Sequence, residues 1–350
     1  MRSSLKHTGT LLVAFLAIGS AVATGVHAED ALRWKFKVGE KLDYNIAQEM
    51  EMAFSGGPYP VPLKVNMHQN MTLKWEVLGV DEKSGEAVIR QKFDHVVMKV
   101  TSPYGAFEYD SKSEKPPTGQ AATAAQMYKP MLEGDFELTM TARGQIKNVK
   151  IPEEVLTTLK NSPVAAQMGD IATPEGFKKM MSQGALVLPN DPPKKGETWT
   201  TKADVKSPDA AKQDIETIYL YRYEGVKDVM GTTYAVIKPQ LKMELAALAA
   251  GANDQSKTEQ EKKAPQAKTT EQSSDGEVLF DIGAGRLHSS SLKVHVVMLG
   301  GSGAQAVEQT MDQTIDVTVT PAGEKKAEPK KSAEAPKPAA SAEKSGSEKK

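Results

Sequence analysis

From Leu42 to Phe54 the even positions are Leu42, Tyr44, Ile46, Gln48, Met50, Met52 and Phe54, with Asp43, Asn45, Glu49 and Glu51 between them. From Leu63 to Val77 the odd positions take over: Leu63, Val65, Met67, Gln69, Met71, Leu73, Trp75 and Val77. Near the other end, Val307 to Val319 alternates in the same way through Gln309, Met311, Gln313, Ile315 and Val317. A period of two with one apolar and one polar face is the mark of antiparallel strands wetted on one side. These runs are long for strands, so the sheet they form is expected to twist and curl strongly.

The loop SGGPYPVP joins the first two runs, and a hairpin symmetric about it pairs positions whose numbers sum to 117. That register sets Gln48 against Gln69, Met50 against Met67, Ile46 against Met71 and Leu42 against Trp75. The pair Gln-x-Met recurs as Gln48/Met50, Gln69/Met71 and Gln309/Met311. If the last strand flanks either of the first two, the sheet closes or nearly closes, and the three glutamines form one polar belt across an apolar concave face.

Segments also repeat in order. KVGEKLDY (37–44) resembles KKGETWTT (194–201), WEVLGVDEKSGEAVI (75–89) resembles YEGVKDVMGTTYAVI (223–237), and FELTMTARGQI (136–146) resembles VLFDIGAGRL (278–287). Each half reads as a β-meander, with glycine at tips that need positive φ, Gly144 and Gly285 among them. Helix signals fall at 120–132, at 152–161, where Pro and two acids open the segment, and at 173–184, which starts Thr-Pro and ends in Gly. The predicted fold is α+β and sheet-dominated: a long curled antiparallel sheet, half-barrel or barrel-like, from two related β-meander halves with a few short helices.

Composition sets the ends. Residues 1–28 carry Arg2 and Lys6, a short apolar run and Val26-His27-Ala28 before a cut, which predicts a signal peptide, export, and a mature chain starting at Glu29. The chain has no cysteine, which leaves no disulfide, thiolate metal site or acylated N-terminal thiol. No second apolar run is long enough to span a membrane as a helix. Residues 322–350 hold eight Lys, five Glu and no aromatic, Val, Ile, Leu or Met, and are expected to be a disordered tail. Residues 251–275 are similarly polar and are expected to be a disordered loop. The chain therefore divides into the signal at 1–28, a first meander half at 29–162, a helical connection at 163–195, a second half at 196–321 and the tail at 322–350.

With a formal net charge of −1, the chain gives no support for nucleic-acid binding. The four histidines after the signal, His68, His95, His288 and His295, show no metal or triad spacing, and no P-loop, dinucleotide or nucleophile-elbow motif is present. Neither an enzyme nor a cofactor is expected. An outer-membrane barrel shares the alternation, but aromatic residues are only 6% of the chain, too few for girdles. Two readings of Gln48, Met50, Gln69, Met71, Gln309 and Met311 remain. They are either a satisfied amide ladder in a self-filled core or the lining of a pliant cavity for a lipid or other apolar ligand. The partner is correspondingly an apolar small molecule or another protein of the envelope, with the protein periplasmic or extracellular.

The segments RWKFKVGEKLDY, FEYDSKSEKPP, FELTMTARGQIKNVK, LPNDPPKKGETW and FDIGAGRLHSSSLK carry a resemblance over residues 31–321. It is to an uncharacterised family of secreted bacterial proteins with a domain of unknown function. That resemblance brings no activity and no functional residues. The expected architecture is also loosely similar to periplasmic lipoprotein-carrier half-barrels, which lends lipid binding an associational warrant only.

Overall fold

The computed structural model describes residues 31–161, 173–205, 215–245, 268–301 and 306–323. The expected signal peptide, nearly all of the tail and residues 251–267 of the expected loop lie outside these. The strands are β1 (Lys41–Gly56), β2 (Tyr59–Val80), β3 (Ala87–Ser102), β4 (Gly105–Asp110), β5 (Phe136–Met140) and β6 (Ile146–Lys150), then β7 (Thr198–Val205), β8 (Ile215–Val229), β9 (Thr232–Leu245), β10 (Lys268–Asp281), β11 (Arg286–Gly300) and β12 (Val307–Pro321). Helices α1 (Gln120–Glu133), α2 (Glu153–Asn161) and α3 (Pro174–Gln183) fall where the sequence places them. Thr173 Oγ1 accepts the Gly176 N–H at 3.1 Å, and Pro174 opens α3 with no donor to lose.

All twelve strands belong to one antiparallel sheet, in the order β6-β5-β3-β2-β1-β12-β11-β10-β9-β8-β7, with β4 added beside β3. Each half is a meander. The first runs outward from the centre to β6; the second runs inward from β7 to β12. The two meet where the first strand pairs with the last. β12 does flank β1, but the expected closure does not follow, because that contact joins the halves in the middle and leaves β6 and β7 as edges. One residue range also needs correcting. Residues 268–275, read as the end of a disordered loop, are strand: Lys268 faces Leu299 and Ser274 faces Val294 in the β10–β11 ladder. Their polar side chains hid them, since the apolar cover they need comes from β11.

The repeat is visible in the hydrogen bonds. In the first half Gly39 N–H donates to the Val77 carbonyl, Glu40 to Lys37, and Val77 to Glu40. In the second, Gly196 donates to Tyr223, Glu197 to Lys194, and Tyr223 to Glu197. Two residues on, both halves carry a bulge, between Val77 and Gly79 and between Tyr223 and Gly225. Bulges of this kind sharpen local twist.

The sheet curls about its inner face so that α3 packs against both edge strands, β6 and β7. Phe177 of α3 stacks on Phe136 of β5 at 5.0 Å, Leu188 N–H donates to Arg143, and Trp199 of β7 donates its indole N–H to Val187. A strap, 31–36, crosses the same end. Trp34 N–H donates to Ala142 in the β5–β6 turn, and Lys35 N–H donates to Gly285 in the β10–β11 turn. A Cβ on Gly144 would run into the Leu186 carbonyl and the Trp34 indole, and one on Gly285 into Lys35. The equivalent glycines of the two halves therefore also admit the strap, beyond making their turns. One core, from Leu32 and Trp34 to Phe136, Phe177, Tyr221, Ile237 and Phe280, fills this end.

Candidate functional site

At the other end the strands run on past the core. Inner-face residues Met50, Met52 and Phe54 of β1, Leu63 and Val65 of β2, and Met311, Gln313 and Ile315 of β12 are all half-buried. They form the floor of a trough on the middle strands. Its flanks are covered from within the chain. On the first-half side α1 lies on β3 and β4, where Ala121 and Ala124 pack with Val96, Met98 and Tyr109, and Met67 and Met71 rest against this cluster. On the second-half side the sheet splits. The β9–β10 ladder ends at Ile237–Val278, because the next inward position of β9 is Pro239, which has no N–H. Beyond it Ser274 Oγ accepts the Leu241 N–H at 2.8 Å and Gln272 Oε1 accepts the Met243 N–H at 2.9 Å. Upper β9 is thus held by side chains on the inner face of β10, next to buried Val294 and Val296.

The hairpin register expected from the sequence is observed: Gln48 faces Gln69, Met50 faces Met67, Ile46 faces Met71 and Leu42 faces Trp75. The belt is not. Gln309 faces Phe54 and Met311 faces Met52, whereas Gln48 faces Ile315 on that side. The last strand is displaced toward the hairpin tip, so Gln309 lies near the rim and away from Gln48. Gln69 Nε2 donates to the Tyr128 hydroxyl of α1 at 3.1 Å, and among the described residues no hydrogen bond links the two facing amides. Burial raises the Tyr128 pKa, partly offset by that bond from Gln69. Met71 belongs to the packed core beside Tyr128, while Met50 and Met311 line the trough. The sequence pattern missed Gln313, which faces both Met50 and Val294 and is the trough's central amide. It lacks a methionine two places on and so fell outside the motif.

The outer face carries a second concavity that sequence reasoning did not anticipate, a shallow groove of about 490 Å³ crossing five strands. Register places Glu49 beside His68 and Glu51 beside Asp312, which faces His295. Several of its charges are paired, with one another or with Lys64 beside it. Lys64 meets Glu51 at 2.9 Å, His295 meets Asp312 at 2.7 Å, and His68 lies 3.7 Å from Glu49. The hydrogen bond from Lys64 to Glu51 raises the Lys64 pKa. Such mutual pairing describes a solvated face. No cluster of His, Cys, Asp or Glu able to hold a metal occurs among the described residues.

Residues 84–228 match the model of a family described as a family of unknown function (DUF6263). The match runs from the β2–β3 turn to the end of β8 and so spans the junction between the halves. Among curated proteins none matches the chain. Among solved structures, an outer membrane channel from Pseudomonas putida F1 is 8% identical, covering 82% of this chain and 97% of that one, at a TM-score of 0.22. OccK7 of Pseudomonas aeruginosa is 7% identical over 81% of this chain and 100% of that one, at 0.20. DynF from the dynemicin biosynthesis pathway of Micromonospora chersina is 7% identical over 82% and 84%, at 0.18. At such TM-scores these likenesses carry no weight for function. Among the described residues no helix is long and apolar enough to cross a membrane.

Proposed function

We propose that this protein is an exported, non-enzymatic binding protein that takes a lipid or other apolar chain into the trough. The observation that carries the reading is the floor itself. Met50, Met52, Phe54, Met311 and Ile315 lie side by side on the two central strands, and each stays half-exposed although both flanks of the sheet are covered. Methionine walls adapt to flexible aliphatic shapes, and Gln313 supplies one amide where a head group can be held. The rival reading, an envelope protein with a self-filled core, draws on α1, which already fills the β3 flank.

Native mass spectrometry of protein purified without detergent, with an apolar-dye titration, separates the two. The binding reading expects a co-purifying lipid or a saturable dye signal that Met52→Asp removes while the protein stays folded. A clean mass, no dye binding and a Met52→Asp chain that does not fold would establish the self-filled core instead.

A further inference from the structure

Methionine is not spread evenly over the inner face. Leu42, Tyr44 and Ile46 fill the closed end of β1, and Val77, Trp75 and Leu73 that of β2. Toward the mouth the same strands turn to Met50 and Met52, and to Met71 and Met67. Methionine also meets methionine across the ladders: Met50 faces Met67, and Met52 faces Met311 of β12. These four side chains are half-buried on three adjacent strands. Facing Cβ atoms in such a sheet lie about 5 Å apart, and successive ones on one face lie about 7 Å apart. Met50 and Met52 with either Met67 or Met311 therefore outline a small triangle. The floor is concave, and three long unbranched arms can bring their sulfurs to one point above it.

We propose that Met50 and Met52, with Met67 or Met311 as the third ligand, bind a soft monovalent cation of the Cu(I) class. Thioether sulfur is a soft, neutral donor, and such ligands select Cu(I). The inner positions beside the four methionines are Gln48, Phe54, Val65, Gln69, Gln309 and Gln313, none of them charged. The anionic oxygens that Ca(II) and Mg(II) favour are missing there, and so are the thiolate, imidazole and carboxylate ligands of Zn(II). His68 and His295 are outer-face residues of β2 and β11, and alternation keeps them from reaching in. The site shares the trough's floor without depending on the lipid reading. Leucine would line a trough equally well, and the thioethers would hold an ion equally well in a self-filled face.

The test is native mass spectrometry and thermal melting of the full chain with Ag(I), with Cu(I) under reducing conditions, and with Zn(II). The chain has no cysteine, so no thiol competes for these ions. The wild type is expected to take up one Ag(I) or Cu(I), to melt at a higher temperature with it, and to leave Zn(II) unbound at the same concentration. Combining Met50→Leu with Met52→Leu should weaken uptake about a hundredfold or more, since losing even an outer partner of a metal ligand typically costs about 10–100-fold. Leucine conserves volume and apolarity, so this variant should fold and bind dye as the wild type does. Should it disturb the fold, Met67→Leu with Met311→Leu removes the third ligand of either triangle and gives the same decision. Met230→Leu, at a fully exposed turn, is the control and should keep the ion. No ion on the wild type, equal uptake by the leucine variants, or equal uptake of Zn(II) would overturn the proposal. Dye binding reads the apolar floor and silver uptake reads the sulfurs, so either proposal can fail without the other.

Discussion

Gln69 shows how a single side chain divides between the two readings of the inner face. Its amide serves α1 through Tyr128 and does nothing for a cross-strand ladder. Gln69→Leu is therefore expected to cost about 1 kcal/mol, the worth of one ordinary hydrogen bond, and to leave dye binding unchanged. Chemical denaturation with a parallel titration measures both. Tyr44 presents the opposite case. Its ring is buried against Trp75, and its hydroxyl is sealed from water with no partner among the described residues. Burial first, and Glu40 second, drive its pKa up, so it stays neutral in the folded protein. Tyr44→Phe should raise stability, by up to about 1 kcal/mol, since it removes an unmet donor and keeps the ring; a fall in melting temperature would show that the hydroxyl has a partner after all. At Met230 the backbone itself is the issue. It is the one non-glycine residue with positive φ among those described, at 50°, and it is fully exposed in the β8–β9 turn. Met230→Gly should stabilise by about 0.5–1 kcal/mol, because the left-handed conformation penalises a Cβ that makes no contact in return.

At the scale of elements, prolines decide where ladders stop. Pro239 ends the β9–β10 ladder, and Pro60 and Pro62 lie on the upper stretch of β2 that has no β3 beside it. Alternate positions of a strand point their N–H groups to one side, so two prolines of one parity blunt an open edge against pairing with another chain. Replacing both by Thr should leave the monomer folded and increase its self-association, read by light scattering against concentration. An unchanged monomer would mean the edge is protected by something else. The alternation that flags a half-wet strand was legible in β1, β2 and β12, and the loop symmetry gave the β1–β2 register from Lys41 to Phe54, beyond which an irregularity shifts it so that Gly56 faces Tyr59. β10 was not fully legible, because Thr269, Gln272 and Ser274 face inward as polar residues: Gln272 and Ser274 bond to β9, while Thr269 lies opposite Met298 of β11. The β1–β12 register was out of reach for a different reason. No loop connects those strands, so nothing local sets their offset, and the supposed glutamine belt fell apart on that offset.

For the whole molecule, the strap and the central seam hold two similar meanders in one body. Gly144→Ala tests the strap. Its Cβ must displace the Leu186 carbonyl and Trp34 from a position with φ of 91°, so a loss of more than about 2 kcal/mol is expected. Gly39→Ala has positive φ too but open space around it, and should lose only the smaller backbone part. Equal losses in the two variants would show that the strap's close approach adds nothing to stability.

The seam between β1 and β12 has a consequence in time. The strand that emerges first from synthesis has its inner neighbour among the last residues of the sheet. Sequence-distant pairing of this kind is slow, because a long stretch of chain must be closed before the contact is made. Each meander can grow from its own hairpins, but the trough's floor forms only when the two flanks are brought together. Until then β1 and β12 each show a bare, methionine-bearing edge, and the half-made protein is at its most prone to aggregate. A chain ending at Gly301 should stay in that condition: rich in strand by circular dichroism, poorly soluble, and without cooperative unfolding.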